Sequence, residues 1–267
     1  MPISMLLGVL VGAILGLTGA GGGILAVPAL VFGLGLPMQQ AAPVALIAVS
    51  VSASVGAFQG FRFGLVRYKA ALLMAAGGLV FTWPGHALAT LLPQPVLLLC
   101  FAGILLFVAF QLVTKGFKAE QEHASDVWTW ATINPDTGRF VWTLPTALAI
   151  GGVGALTGFM SGLLGVGGGF VLVPLLKKLT QLGMQSIVAT SLMVIALVGT
   201  GAVGTALLQG TRILPLETGL FTLAVVVGMG LGRHLMGVLK PETVQRIFVA
   251  LLIAVALGLV YKGLRGT

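Results

Sequence analysis

Two glycine tracts, Gly19-Ala-Gly-Gly-Gly23 and Gly165-Val-Gly-Gly-Gly169, are where this sequence has the means to do chemistry. Three consecutive glycines cannot hold a stable helix interior and leave backbone N–H groups open to a ligand. Each tract leads into an apolar run with a proline near its start, Pro28 or Pro174. The pattern predicts a loop feeding a half-helix, whose N-terminus carries about half a positive charge. Donors and dipole together make an anion site. Gly21, Gly22 and Gly23, with Gly167, Gly168 and Gly169, are the candidate contacts, and Thr18 stands just before the first tract. The competing reading, close helix packing, fits Gly8, Gly12 and Gly16 and their counterparts Gly154, Gly158 and Gly162, whose spacing of four marks one helix face.

Side-chain candidates are few. Thr190-Ser191 offers adjacent hydroxyls, Gln59 and Gln209 offer amides, and Ser50, Ser52 and Ser54 offer hydroxyls spaced by two. Residues two apart do not share a helix face, so at most two of those serines line one path. The remainder bond back to their own helix. The amides compete with a plain interhelical hydrogen bond. His86 and His234 occupy equivalent places near segment ends and are the candidate proton carriers.

The acidic residues are Glu120, Glu122, Asp126, Asp136, Glu217 and Glu242. None falls mid-segment, which argues against a carboxylate proton relay or a carboxylate-built sodium site. No nucleophile–base pair, Walker motif or metal-ligand cluster is present, so neither an enzyme nor a metal or cofactor protein is expected.

The elements that must position these residues are set by lipid. Of 267 residues 58% are hydrophobic and 7% charged, with a mean hydropathy of +1.12. A soluble domain carries about 25% charged residues. The net charge of +8 comes from bases scattered at segment ends, with no face able to track a phosphate backbone, so nucleic acid is excluded. The N-terminal stretch has no basic flank at Met1 to Met5 and does not read as a cleaved signal. Cys100, the single cysteine, lies in an apolar segment and reads as packing.

A membrane-spanning helix needs about 20 apolar residues. Such segments run near 40–60, 70–92, 95–114, 184–208, 216–239 and 244–262, while 3–36 and 143–176 are longer and glycine-broken. The polar stretch from Lys115 to Arg139 holds Trp128-Thr-Trp, Asn134-Pro-Asp-Thr-Gly138 and Phe140-Val-Trp, which suggests a short β-hairpin linker.

The halves are copies of each other. A shift of 146 residues makes 15 of the 32 positions from Gly8 to Gln39 identical, including both glycine tracts and Val27-Pro28 on Val173-Pro174. With small gaps Gln59 meets Gln209, His86 meets His234 and Pro93 meets Pro241. The expected fold is an all-α integral membrane protein of two repeats, 1–115 and 143–267, joined by the linker 116–142. Each repeat is a glycine-broken or re-entrant segment plus three transmembrane helices. An inverted arrangement puts 11 basic residues inside and 3 outside, against 9 and 5 for a parallel one. Inversion is therefore expected, with both termini outside and the linker in the cytoplasm.

Gly16-Leu-Thr-Gly-Ala-Gly-Gly-Gly-Ile-Leu-Ala-Val-Pro28 and Gly162-Leu-Leu-Gly-Val-Gly-Gly-Gly-Phe-Val-Leu-Val-Pro174 resemble the twin signature of the TauE/SafE family of sulfite and organosulfonate exporters. Ala189-Thr-Ser-Leu192 is similar to it too. The first copy departs there, with Pro43-Val-Ala-Leu46 in place of the hydroxyl pair. The resemblance covers nearly the whole chain. It implies a multi-pass transporter of a small sulfur-containing anion in the cytoplasmic membrane of a prokaryote, with the anion and the bilayer as partners and a homo-oligomer left open. Export matches the voltage, since one negative charge moving outward gains about 2.3 kcal/mol per 100 mV. A proton-coupled importer and a non-transporting membrane scaffold are the alternatives.

Overall fold

The computed structural model describes residues 2–19, 22–115, 142–180, 182–208, 215–236 and 241–265. In order, the helices are α1 (Pro2–Thr18), a 3-10 turn (Gly22–Leu25) with α2 (Ala26–Gly33), α3 (Met38–Arg62), α4 (Tyr68–Leu91) and α5 (Gln94–Lys115). The second half repeats this with α6 (Leu144–Leu164), α7 (Gly169–Leu179), α8 (Met184–Leu208), α9 (Pro215–Met236) and α10 (Pro241–Arg265). The helices α3, α4, α5, α6, α8, α9 and α10 are each long and apolar enough to cross a membrane. The chain is thus an all-α, multi-pass integral membrane protein. The expected hairpin linker lies outside the described residues, as do Gly21 and Gln209.

Local chemistry sets the helix ends. Pro37 caps α3 in an extended conformation, and the Thr143 hydroxyl accepts the Thr146 N–H at the start of α6. Pro43, Pro84 and Pro174 sit inside helices. Neighbouring helices make such breaks in the hydrogen-bond ladder tolerable at membrane depth.

The two copies exchange partners. The helix α1 packs on α9 of the other copy, and α6 packs on α4, while α3 packs on α8 and α5 on α10. Glycines make the first two contacts close. Along α1, Gly8, Gly12 and Gly16 meet α9 near Phe221, Val225 and Met229 in turn, so these helices run parallel. Along α6, Gly154, Gly158 and Gly162 meet Met74, Gly78 and Thr82 of α4, again in parallel.

The self-equivalent pairs run the other way. Ser50 of α3 lies against Gly199 of α8, Gly56 against Leu192 and Gly60 against Ala189, an antiparallel crossing. In the outer pair Gly263 faces Leu99 and Pro95, and the Gln245 amide donates to the Leu112 carbonyl, also antiparallel. Tracing these directions places Arg62, Arg67, Lys69, Lys115, Lys177, Lys178, Arg233 and Arg246 on one face, here called the Arg62 face. Lys262 and Arg265 lie on the opposite, Met38 face.

This packing makes a sharp prediction. A Cβ at Gly158 would overlap the Gly78 backbone, whereas at Gly152, on the same helix, nothing lies within 4 Å. Overpacking costs about 1–3 kcal/mol. Gly158→Ala should lower the thermal melting point of detergent-solubilised protein by several degrees, and Gly152→Ala should leave it unchanged. Equal melting points would refute the assigned α4–α6 contact.

Candidate substrate site

Both broken segments turn back inside the protein. After Thr18 the chain bends at Gly19 (φ 79°), and Gly22 returns against the backbone of Ile14 and Leu15. Gly33, at the end of α2, lies beside Leu7 and Ile3, so α2 runs back along α1. In the second copy Gly165 closes α6 in the left-handed conformation, its N–H donating to the Ser161 carbonyl. Gly167 (φ 72°) and Gly168 (φ 67°) continue the bend, and α7 runs back with Gly168 against Thr157. Two consecutive left-handed residues are the reason for glycine here, because a side chain is rarely found at such angles.

The bends meet. A Cβ on Gly23 would lie 3.0 Å from the Val49 side chain and 3.4 Å from the Val166 carbonyl oxygen. One on Gly167 would lie 3.1 Å from Ile195 and 3.4 Å from Val49. Val49 and Ile195 stand near the midpoints of α3 and α8. The glycine breaks of the two copies thus converge halfway along the central antiparallel pair. Gly22, Gly23, Gly167, Gly168 and Gly169 are all buried. The N–H groups of Gly167, Gly168 and Gly169 find no acceptor among the described residues. Buried backbone donors without partners are rare and costly. An anion would satisfy them, aided by the positive end of α7.

The side-chain candidates divide. Thr190, fully buried, accepts the Arg67 backbone N–H at 3.0 Å, just before α4. Ser191 is equally buried, and its hydroxyl has no partner. Thr18 bonds back to the Ile14 carbonyl at 2.7 Å. Ser52 and Ser54 bond back to Ala48 and Ser50, while the Ser50 hydroxyl, beside Gly199, is unpartnered. Ser161, one turn before the second bend, also has an unpartnered buried hydroxyl. Sequence reasoning missed Ser161, because its counterpart in the first copy is Leu15 and the repeat gave no signal.

Gln59 accepts a hydrogen bond from the Arg233 guanidinium, joining α3 to α9. His86 lines a cavity of about 410 Å³ on the Met38 face, with Gln39, Gln40, Thr90 and Gly162, and its Nε2 is buried without a partner. His234 is exposed. The described residues hold no cluster of His, Cys, Asp and Glu able to bind a metal.

Seven membrane-length helices around paired helix breaks define the architecture of a multi-pass membrane transporter. The family model for the sulfite exporter TauE/SafE matches residues 4–259, and the chain belongs to that family. It is 30% identical over 260 residues to a probable membrane transporter protein of Xylella fastidiosa strain Temecula1, covering 96% of this chain and 93% of that one. A counterpart from strain 9a5c is 31% identical over 193 residues, 72% of this chain and 68% of its own. The probable membrane transporter protein YunE of Bacillus subtilis is 26% identical over 275 residues, 98% of each chain. No solved structure matches.

Proposed function

We propose that the chain carries a small sulfur-containing anion (sulfite, sulfoacetate or another organosulfonate) out of the cytoplasm across a prokaryotic inner membrane. The observation that carries this reading is the convergence of two glycine breaks at mid-helix depth, where the N–H groups of Gly167, Gly168 and Gly169 find no acceptor among the described residues. A carboxylate-bound cation has nothing to hold it there, since Glu217 and Glu242 are the only described acids and both lie at helix ends. The opposed directions of α3 and α8, and of α5 and α10, support an inverted pair of repeats. The basic residues gathered on the Arg62 face support placing that face in the cytoplasm. One repeat rocking against the other would then expose the central site to each side in turn.

The second reading is proton-coupled import. The unpartnered Nε2 of His86, in the cavity of the Met38 face, is the observation in its favour.

Purified protein in liposomes loaded with sulfite, sulfoacetate or thiosulfate tests the transport reading. Efflux of at least one of these above protein-free liposomes is expected. Folded, monodisperse protein that releases none of them would sink the proposal.

A further inference from the structure

Arg233, in the last turn of α9 on the Arg62 face, turns its head group across to the neighbouring helix α3. It is half-buried, and its backbone lies against Gly16, where α9 crosses the end of α1. Its guanidinium reaches across to α3, bonding Gln59 and approaching Gly56, with Leu192 of α8 beside the same glycine. No described carboxylate is near. Glu217 is at the other end of α9, and Glu242 is exposed in the first turn of α10.

A guanidinium presents five donors in a rigid fork, and Gln59 occupies one of them. A half-buried guanidinium in the last turn of a span keeps its remaining donors for water or a bound anion. The fork matches an oxyanion that accepts two parallel N–H bonds, as sulfonate and sulfite oxygens do.

The repeat sharpens the point. With His86 on His234, the residue equivalent to Arg233 is Gly85, which packs against the backbone of Phe159 and Leu163. The Met38 side has no cation at this place. The two mouths of a path that is otherwise duplicated are therefore chemically unequal.

We propose that Arg233, oriented by Gln59, is an oxyanion-binding residue on the Arg62 side, the first station of the anion before the glycine breaks. This rests on the anion-transport reading above. It makes the two faces unequal in affinity, because the position equivalent to Arg233 on the Met38 side is Gly85.

The test is initial flux of sulfite, sulfoacetate and thiosulfate in proteoliposomes of known protein orientation, with each anion offered to one face at a time. Arg233→Gln should raise the apparent KM at the Arg62 face at least tenfold, with a much smaller change at the Met38 face. Arg233→Lys keeps the charge and loses the fork, so it should fall between. Gln59→Ala should raise the same KM by a smaller factor. If Arg233 merely clamps α9 to α3, Gln59→Ala and Arg233→Gln will lower thermal stability and maximal rate together, with KM unchanged at both faces. That result overturns the proposal while leaving the transport reading intact. No flux of any of the three anions through folded wild-type protein overturns both.

Discussion

Gly23→Ala is expected to leave the amount and melting point of the folded protein near wild type, yet to cut anion flux tenfold or more. The added methyl would point at the junction of the two breaks, 3.0 Å from a Val49 methyl and 3.4 Å from the Val166 carbonyl oxygen. The first neighbour is a side-chain tip that can shift by a few tenths of an ångström, so the helices need not separate. The space the methyl takes is what an anion in the proposed site would use. Losing one well-directed charge-assisted hydrogen bond costs about 1.5–3 kcal/mol, and 1.4 kcal/mol is roughly tenfold in rate or affinity.

Neighbouring glycines give the contrasting result. A Cβ at Gly22 would overlap the Leu15 backbone, and one at Gly168 would overlap Thr157 at a left-handed position. Gly22→Val and Gly168→Val should therefore deplete folded protein, as helix-packing glycines do. Measuring folded protein and flux in parallel separates the cases. Wild-type flux in well-folded Gly23→Ala would remove the breaks from the substrate path and return them to packing.

The helix positions were largely readable in advance, because lipid imposes a length and proline or glycine marks most ends. The expected segment at 184–208 is α8 to the residue, and 70–92 differs from α4 by two residues at one end and one at the other. What the two broken segments do was less readable. Consecutive glycines announce a bend without giving its direction. The return of α2 along α1 depends on Gly22 fitting against Leu15, a contact that only the folded chain defines.

Partner choice was also hidden. The spacing of Gly8, Gly12 and Gly16 marks a packing face, but nothing in it says that the partner is α9 of the other copy. Thr190 shows the same gap, since the N–H it accepts belongs to Arg67, distant in sequence. Arg233 was legible only as one more positive charge for topology. Its reach to Gln59 required knowing that α3 and α9 are neighbours. For Ser52 and Ser54 the local rule was sufficient, because back-bonding needs only the helix itself.

Voltage should set the final distribution of the anion. If one net negative charge moves per cycle, a clamp of 100 mV, negative on the loaded side, contributes about 2.3 kcal/mol. The anion should then accumulate roughly fiftyfold on the positive side at equilibrium, and reversing the clamp should reverse the gradient. The described helices supply no buried carboxylate to carry a compensating proton or sodium ion. A one-for-one proton symport through His86 would behave oppositely. With one proton per monovalent anion the cycle is electroneutral, so the distribution would ignore the clamp. It would instead follow the pH gradient, roughly tenfold per unit. His86→Gln would abolish that coupling, yet in a uniporter it should leave the voltage-driven ratio untouched. A gradient that tracks pH at zero voltage, and vanishes in His86→Gln, would replace uniport by proton coupling and make the Met38-side cavity the proton entry.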